Sequence, residues 1–207
     1  MIENIHKCLR TVVSQFYYRP FLFFNEIGFH TYCYAVFYRN PVFAKLFTTR
    51  DGKNTNLIHP EYGSIKTKIG GKGRAWYDLV ILNPRFVQDN DLERVANNYG
   101  TATSYKPDDL MAVLEFKYLR SSSKEYVRQL QKDYHSLSNA VEALNKYMIV
   151  FADVKSPFDY FSGMQWDDHT KLVYTVVDFS QIGRKQIKVL IKPDNFLKLP
   201  GQWLATV

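Results

Sequence analysis

Apolar positions along the chain change period partway. Ile5, Cys8, Leu9, Val12, Val13 and Phe16 recur at helical spacing and predict a first amphipathic helix from Ile2 to Phe16, which Arg19-Pro20 ends or bends. Asn25 has the chemistry of an N-cap, and Ile27 to Tyr38 predict a strongly aromatic second helix that Asn40-Pro41 stops. Asn54 to His59 is polar and predicts a loop. From Ser64 the period becomes two. Ser64 to Ile69 alternates, Gly70-Gly71-Lys72-Gly73 supplies a turn, and Arg74 to Leu82 resumes as RAWYDLVIL, so a β-hairpin is expected. Asn83 to Asp109 is long and polar, with a short helix expected around Asp91 to Asn98, and reads as an insertion between core strands. Met111 to Tyr118 predicts the next strand. Ser121-Ser122-Ser123 then caps a helix through Asn145, and KYMIVFA, LVYTVVDF and QIKVLI predict three more strands. Helices, hairpin and strand, helix, then strands: this order describes an α/β domain with a mixed sheet.

Three charges break the apolar strands. In AVLEFKY, residues Ala112 to Tyr118, Glu115 and Lys117 project from one face about 7 Å apart, with Phe116 turned the other way. Asp78 is a lone carboxylate inside RAWYDLVIL, sharing a face with Trp76, Val80 and Leu82. If these two strands are neighbours, Asp78, Glu115 and Lys117 meet at the end of a sheet. Burying such groups is costly unless they pair or hold a metal, so the choice lies between a strand-end ion pair and a site. The site chemistry that wants this set is metal-assisted phosphodiester hydrolysis. Mg²⁺ (or Mn²⁺) takes hard oxygen ligands, which two carboxylates, a backbone carbonyl and a substrate phosphate supply. Lys117 would then orient or deprotonate the attacking water, or neutralise charge on the phosphate.

Composition narrows the partners. A chain of 207 residues is most simply one domain, with residues 1–23 as an N-terminal helical extension and 83–109 as the insertion. Hydrophobic content of 46% with ten Gly and eight Pro argues for a packed protein. Its longest apolar region, Phe16 to Phe24, is interrupted by Arg19 and Pro20 and is too short for a membrane span, while the start MIEN has nothing of a signal peptide. Cys8 and Cys33 show no zinc or redox spacing, so a reduced, cytoplasmic setting is the expectation. The net charge of +7 favours a polyanionic partner such as nucleic acid. Lys66, Lys68, Lys72 and Arg74, with glycines between them, form a basic hairpin suited to phosphates, with a solvated basic turn as the plainer alternative.

Asp78 followed by Glu115-Phe116-Lys117, on consecutive strands and directly ahead of a helix, resembles the PD-(D/E)XK nuclease superfamily over roughly Phe24 to Ala152. The resemblance implies a restriction-endonuclease-like mixed β-sheet flanked by α-helices. It also implies a Mg²⁺-dependent endonuclease-type activity, with DNA as the expected substrate, Asp78 and Glu115 as metal ligands and Lys117 as the catalytic base or charge stabiliser. Members often carry an acid on the preceding helix, matched by Glu26 in Phe24-Asn25-Glu26-Ile27, although the first turn of any helix favours an acid. Glu61 in His59-Pro60-Glu61-Tyr62 and Asp133 in Lys132-Asp133-Tyr134 stand where further family acids occur, and each also has an ordinary structural reading. Tyr77 replaces the family's Pro, and Gln129 and Gln131 do not match the exonuclease branch. His30, His59 and His135 have no partners at ligand spacing and receive no catalytic role. A homodimer would suit cutting two strands. The competing expectation is a nuclease-like module that binds nucleic acid or a protein without cutting.

Overall fold

The computed structural model describes residues 1–20, 22–23, 25–67, 74–97, 106–119, 124–152, 169–181, 184–192 and 194–204. It begins with helices α1 (Ile2–Tyr18), α2 (Glu26–Tyr38) and α3 (Pro41–Ala44), followed by the short strands β1 (Phe47–Thr48) and β2 (Asn54–Thr55). Next come β3 (Ile58–Thr67), β4 (Arg74–Leu82), α4 (Pro84–Asp89), α5 (Leu92–Asn97), β5 (Leu110–Leu119) and α6 (Lys124–Ser138). Strands β6 (Lys146–Ala152), β7 (Thr170–Gln181) and β8 (Arg184–Lys192) complete the sheet, ahead of a 3₁₀ turn at Gly201–Trp203.

Six strands lie in the order β3-β4-β5-β6-β7-β8. The pairs β3/β4, β4/β5 and β7/β8 are antiparallel, and β5/β6 and β6/β7 are parallel, so the sheet is mixed with helices flanking it. The parallel step from β5 to β6 requires a crossover, which α6 provides. Strand β6 sits between two parallel neighbours and is buried from Tyr147 through Ala152, which explains its unbroken apolar run. Both N-terminal helices pack on it: Phe16 of α1 and Phe29 of α2 lie 4.0 and 4.4 Å from the Phe151 ring. Helix α1 is therefore part of the core rather than an appendage. Leu130, Tyr134 and Leu137 give α6 its buried face at helical spacing.

Three boundaries differ from expectation. The first hairpin strand begins at Ile58 rather than Ser64, because β3 is an edge strand that tolerates Pro60, whose missing N–H no neighbour requires. Helix α6 ends at Ser138, not Asn145. The Asn139 amide donates to the His135 carbonyl at 2.8 Å and Lys146 Nζ to the Ser138 carbonyl at 2.6 Å, and the chain then turns so that the Leu110 N–H donates to Glu142 O at 3.1 Å. Where an insertion was expected, α4 and α5 bury Phe86, Val87 and Val95, and the Tyr62 hydroxyl donates to Val95 O at 2.8 Å. The turn at 70–73 and the Ser121–Ser123 cap lie outside the described residues. Among the described residues, no helix is long and apolar enough to cross a membrane.

Candidate active site

Strands β4 and β5 are paired through Ile81/Ala112, Val80/Val113 and Leu79/Leu114, and there the ladder stops. One step further in the same register stand Asp78 and Glu115. Beyond that point the main chain of Phe116 is served by side chains. Its N–H donates to Asp78 Oδ2 at 2.7 Å, and its carbonyl oxygen lies 3.3 Å from His30 Nε2. The sheet opens at this corner, and its polar backbone groups become part of a cleft.

Helix α2 closes one side. Asn25 caps it by accepting the Gly28 N–H at 2.7 Å, and Phe29 packs edge-on to Phe116 with ring centroids 5.4 Å apart. These contacts fix Glu26 and His30, one helical turn apart, over the strand end. His30 Nε2 lies 3.7 Å from both Glu26 Oε1 and Asp78 Oδ2. From the opposite strand Glu61 falls across from Asp78, between the pairs Pro60/Leu79 and Tyr62/Tyr77, with a left-handed φ of 49° that is uncommon for a residue with a side chain. Ligating atoms of His30, Glu61 and Asp78 all lie within 4.8 Å of one another. A cavity of about 320 Å³ opens on these atoms, with Ile27, Tyr34 and Pro60 on its apolar walls.

Lys117 joins the other acids. Its Nζ lies 2.7 Å from Glu115 Oε1, 3.3 Å from Asp133 Oδ2 and 3.8 Å from Glu26 Oε1. Asp133 is itself oriented one turn earlier on α6, where Gln129 Nε2 donates to its Oδ1 at 2.7 Å. Five carboxylates thus surround one lysine and one histidine among the described residues. The excess of anionic oxygen fits a divalent cation, and Asp78, Glu115 and the Phe116 carbonyl are hard donors of the kind Mg²⁺ and Mn²⁺ take.

The electrostatics follow from this crowding. Burial raises the Asp78 carboxyl to about 6, against the pull of Lys117 and of the Phe116 N–H. Burial likewise raises Glu115, with Lys117 opposing the rise and Asp78 adding to it. For Lys117 burial disfavours the charge, yet Glu115, Asp133 and Asp78 outweigh it and hold the ammonium above its ordinary range.

The structure brings together Asp78, Glu115, Lys117, Glu26, Glu61 and Asp133. Of the basic hairpin, Lys66 lies in β3 and Arg74 in β4, while Lys68 and Lys72 fall outside the described residues. Sequence reasoning passed over His30, whose signal was its spacing: it stands one turn after Glu26 on a helix already credited with a site acid. It also passed over Glu142, a buried acid that accepts Tyr77 OH at 2.6 Å and Ser64 Oγ at 2.9 Å. No family model, curated protein or solved structure matches this chain.

Proposed function

We propose that the chain is a divergent member of the PD-(D/E)XK superfamily, with a restriction-endonuclease-like sheet, and that it hydrolyses phosphodiester bonds in nucleic acid, with DNA the substrate to test first. The observation that supports this reading best is the open end of the β4/β5 ladder, where Asp78 holds the Phe116 N–H and Glu115 and Lys117 stand beside it. Asp78, Glu115 and the Phe116 carbonyl would hold Mg²⁺ or Mn²⁺, with Glu26 able to join through water. When bound, such an ion polarises the phosphoryl oxygen and acidifies a water.

The chain's own residues do the rest. With its ammonium stabilised by three carboxylates, Lys117 stays protonated at neutral pH. It therefore suits neutralising charge that builds on the phosphate better than removing a proton from water. Asp133, held by Gln129, keeps that ammonium at the strand end. The apolar walls by Ile27 and Tyr34 limit water at the reacting phosphate. Lys66, Lys68, Lys72 and Arg74 would contact flanking phosphates, consistent with the charge of +7.

The test is cleavage of supercoiled, linear and single-stranded DNA, and of RNA, with Mg²⁺, Mn²⁺ or EDTA. Metal-dependent cutting that Asp78→Ala and Lys117→Ala both abolish is the expected result. Binding without cutting of any of these substrates would instead establish a nuclease-like binding module.

A further inference from the structure

We infer that the cleft takes single-stranded nucleic acid, with an unpaired base stacked on Tyr34 beside the scissile phosphate and a neighbouring base on Trp76. This substrate class deepens the nuclease reading and rests on it for the cut itself.

The cavity of about 320 Å³ has walls of two chemistries. Asp78 and Glu61 supply one, where the proposed ion and its phosphate would sit. Ile27, Pro60 and the Tyr34 ring supply the other, and they would only strip water from a phosphate. An apolar wall beside an anion site suits the remaining part of a nucleotide, its flat base.

That wall continues along α2 beyond the cavity. Ile27, Thr31, Tyr34 and Tyr38 recur at helical spacing, and the Tyr34 and Tyr38 rings are stacked, with centroids 5.8 Å apart and planes 26° from parallel. The buried side of the helix is Phe29, Cys33 and Phe37, so the stripe is not core. Ile27 is 76% exposed and Tyr38 47%. A surface helix ordinarily turns charges to water, yet from Glu26 to Tyr38 there is no Lys or Arg and no acid besides Glu26. Thr31 turns its hydroxyl back on the helix, donating to the Ile27 carbonyl at 2.9 Å. Exposed Arg39 follows Tyr38 directly and gives the stripe a cation for the phosphate backbone.

Trp76 adds a ring from the sheet. It stands two residues before Asp78 on β4, on the same face by alternation and about 7 Å away by the strand rise. It is 55% exposed, and its partner across the ladder is Gly63, which has no side chain to cover it. Rings from α2 and from β4 thus border one carboxylate. Within a duplex each base is covered above and below by its neighbours and offers only its edges; in a single strand the faces are open to aromatic side chains.

The experiment uses the full chain and fluorescence anisotropy of a labelled DNA or RNA oligonucleotide, single-stranded or annealed to its complement, in Ca²⁺, with the strands checked intact afterwards. The single strand is expected to bind at least about tenfold more tightly than the duplex. Tyr34→Ala should weaken single-strand binding by about 5- to 100-fold and leave its salt dependence unchanged, since a stack is lost and no phosphate contact. Tyr34→Phe keeps the ring and should stay within about threefold of the native chain, while Trp76→Ala should lose about fivefold. The two native affinities decide the matter even if a variant misfolds. Equal or tighter binding of the duplex, or unchanged single-strand binding by folded Tyr34→Ala, overturns the inference; metal-dependent cutting of duplex DNA would then leave the nuclease reading standing. Tight single-strand binding through Tyr34 without metal-dependent cutting of any strand would support the inference and overturn the nuclease reading. Failure to bind any of these strands overturns both.

Discussion

Strand β5 is two different structures end to end. From Ala112 to Leu114 it is fully buried and laddered to β4 residue by residue. From Glu115 to Lys117 the β4 ladder has ended, and Asp78, His30 and Asp133 contact what the sheet leaves open. The buried Glu142 sharpens the contrast: it is held by neutral hydroxyls of Tyr77 and Ser64, with its backbone carbonyl tied to the laddered start of β5. Glu115, less fully enclosed, is held by a cation that three other acids also surround. Hydroxyl donors tie the one acid to its neighbours in the fold, whereas a surplus of acids around one ammonium suits a further cation.

Substitution at the open end breaks this contrast most sharply. Asp78→Ala removes both the proposed metal ligand and the acceptor of the Phe116 N–H and should lower cleavage by about 10³-fold or more; Lys117→Ala should lower it by about 10²- to 10³-fold. Both losses are read as single-turnover rates on protein whose circular dichroism is unchanged. At the sealed acid the effect should move from activity to stability. Glu142→Ala leaves the Tyr77 and Ser64 hydroxyls without their shared acceptor and should cost about 1–3 kcal/mol in urea unfolding, with metal affinity unaltered. A loss of metal binding in that variant would erase the distinction between the two acids.

Smaller effects come from pH. Asp78 and Glu115 rise on burial from 3.8 and 4.5 to about 6 and about 7, so between about pH 4 and pH 7 the folded chain keeps protons that the unfolded chain releases. These two groups therefore favour the metal-free fold at the low end of that window, and their contribution is lost as pH rises through it. Asp78→Asn should flatten the decline in chelator-treated protein, and a slope unchanged by that substitution would contradict the origin assigned to it. The smallest effect is at the helix cap, where Asn25→Ala should cost about 1 kcal/mol. Any accompanying loss of cleavage would show that the cap also keeps Glu26 and His30 in place.

The sequence disclosed the open end better than its surroundings, for a physical reason. Asp78, Glu115 and Lys117 are conspicuous because charges in apolar strands are expensive, and period two gave the faces without a structure. His30 lay on a helix whose many aromatics masked its polar turn, so its relation to Glu26 was easy to miss. Glu61 was visible only as a family position, since its placement depends on the β3 register and on a left-handed backbone that no residue pattern announces. Glu142 was hidden inside a stretch read as helix. The stop of α6 at Ser138 depends on side-chain bonds from Asn139 and Lys146 to its last-turn carbonyls and on the pairing of residues 142–144 with Leu110, a tertiary contact that no local pattern announces. The mixed sheet was legible because each core strand carries its own apolar run, but the edge strand β3 began early, behind Pro60.

The most direct test of the account is a crystal structure of the native chain grown with Mn²⁺, using anomalous scattering to locate the ion. The account predicts an ion at the open end of the β4/β5 ladder, ligated by Asp78, Glu115 and the Phe116 carbonyl at distances near 2.1 Å. An ion bound elsewhere, or no ion with Glu115 still paired to Lys117, would contradict it.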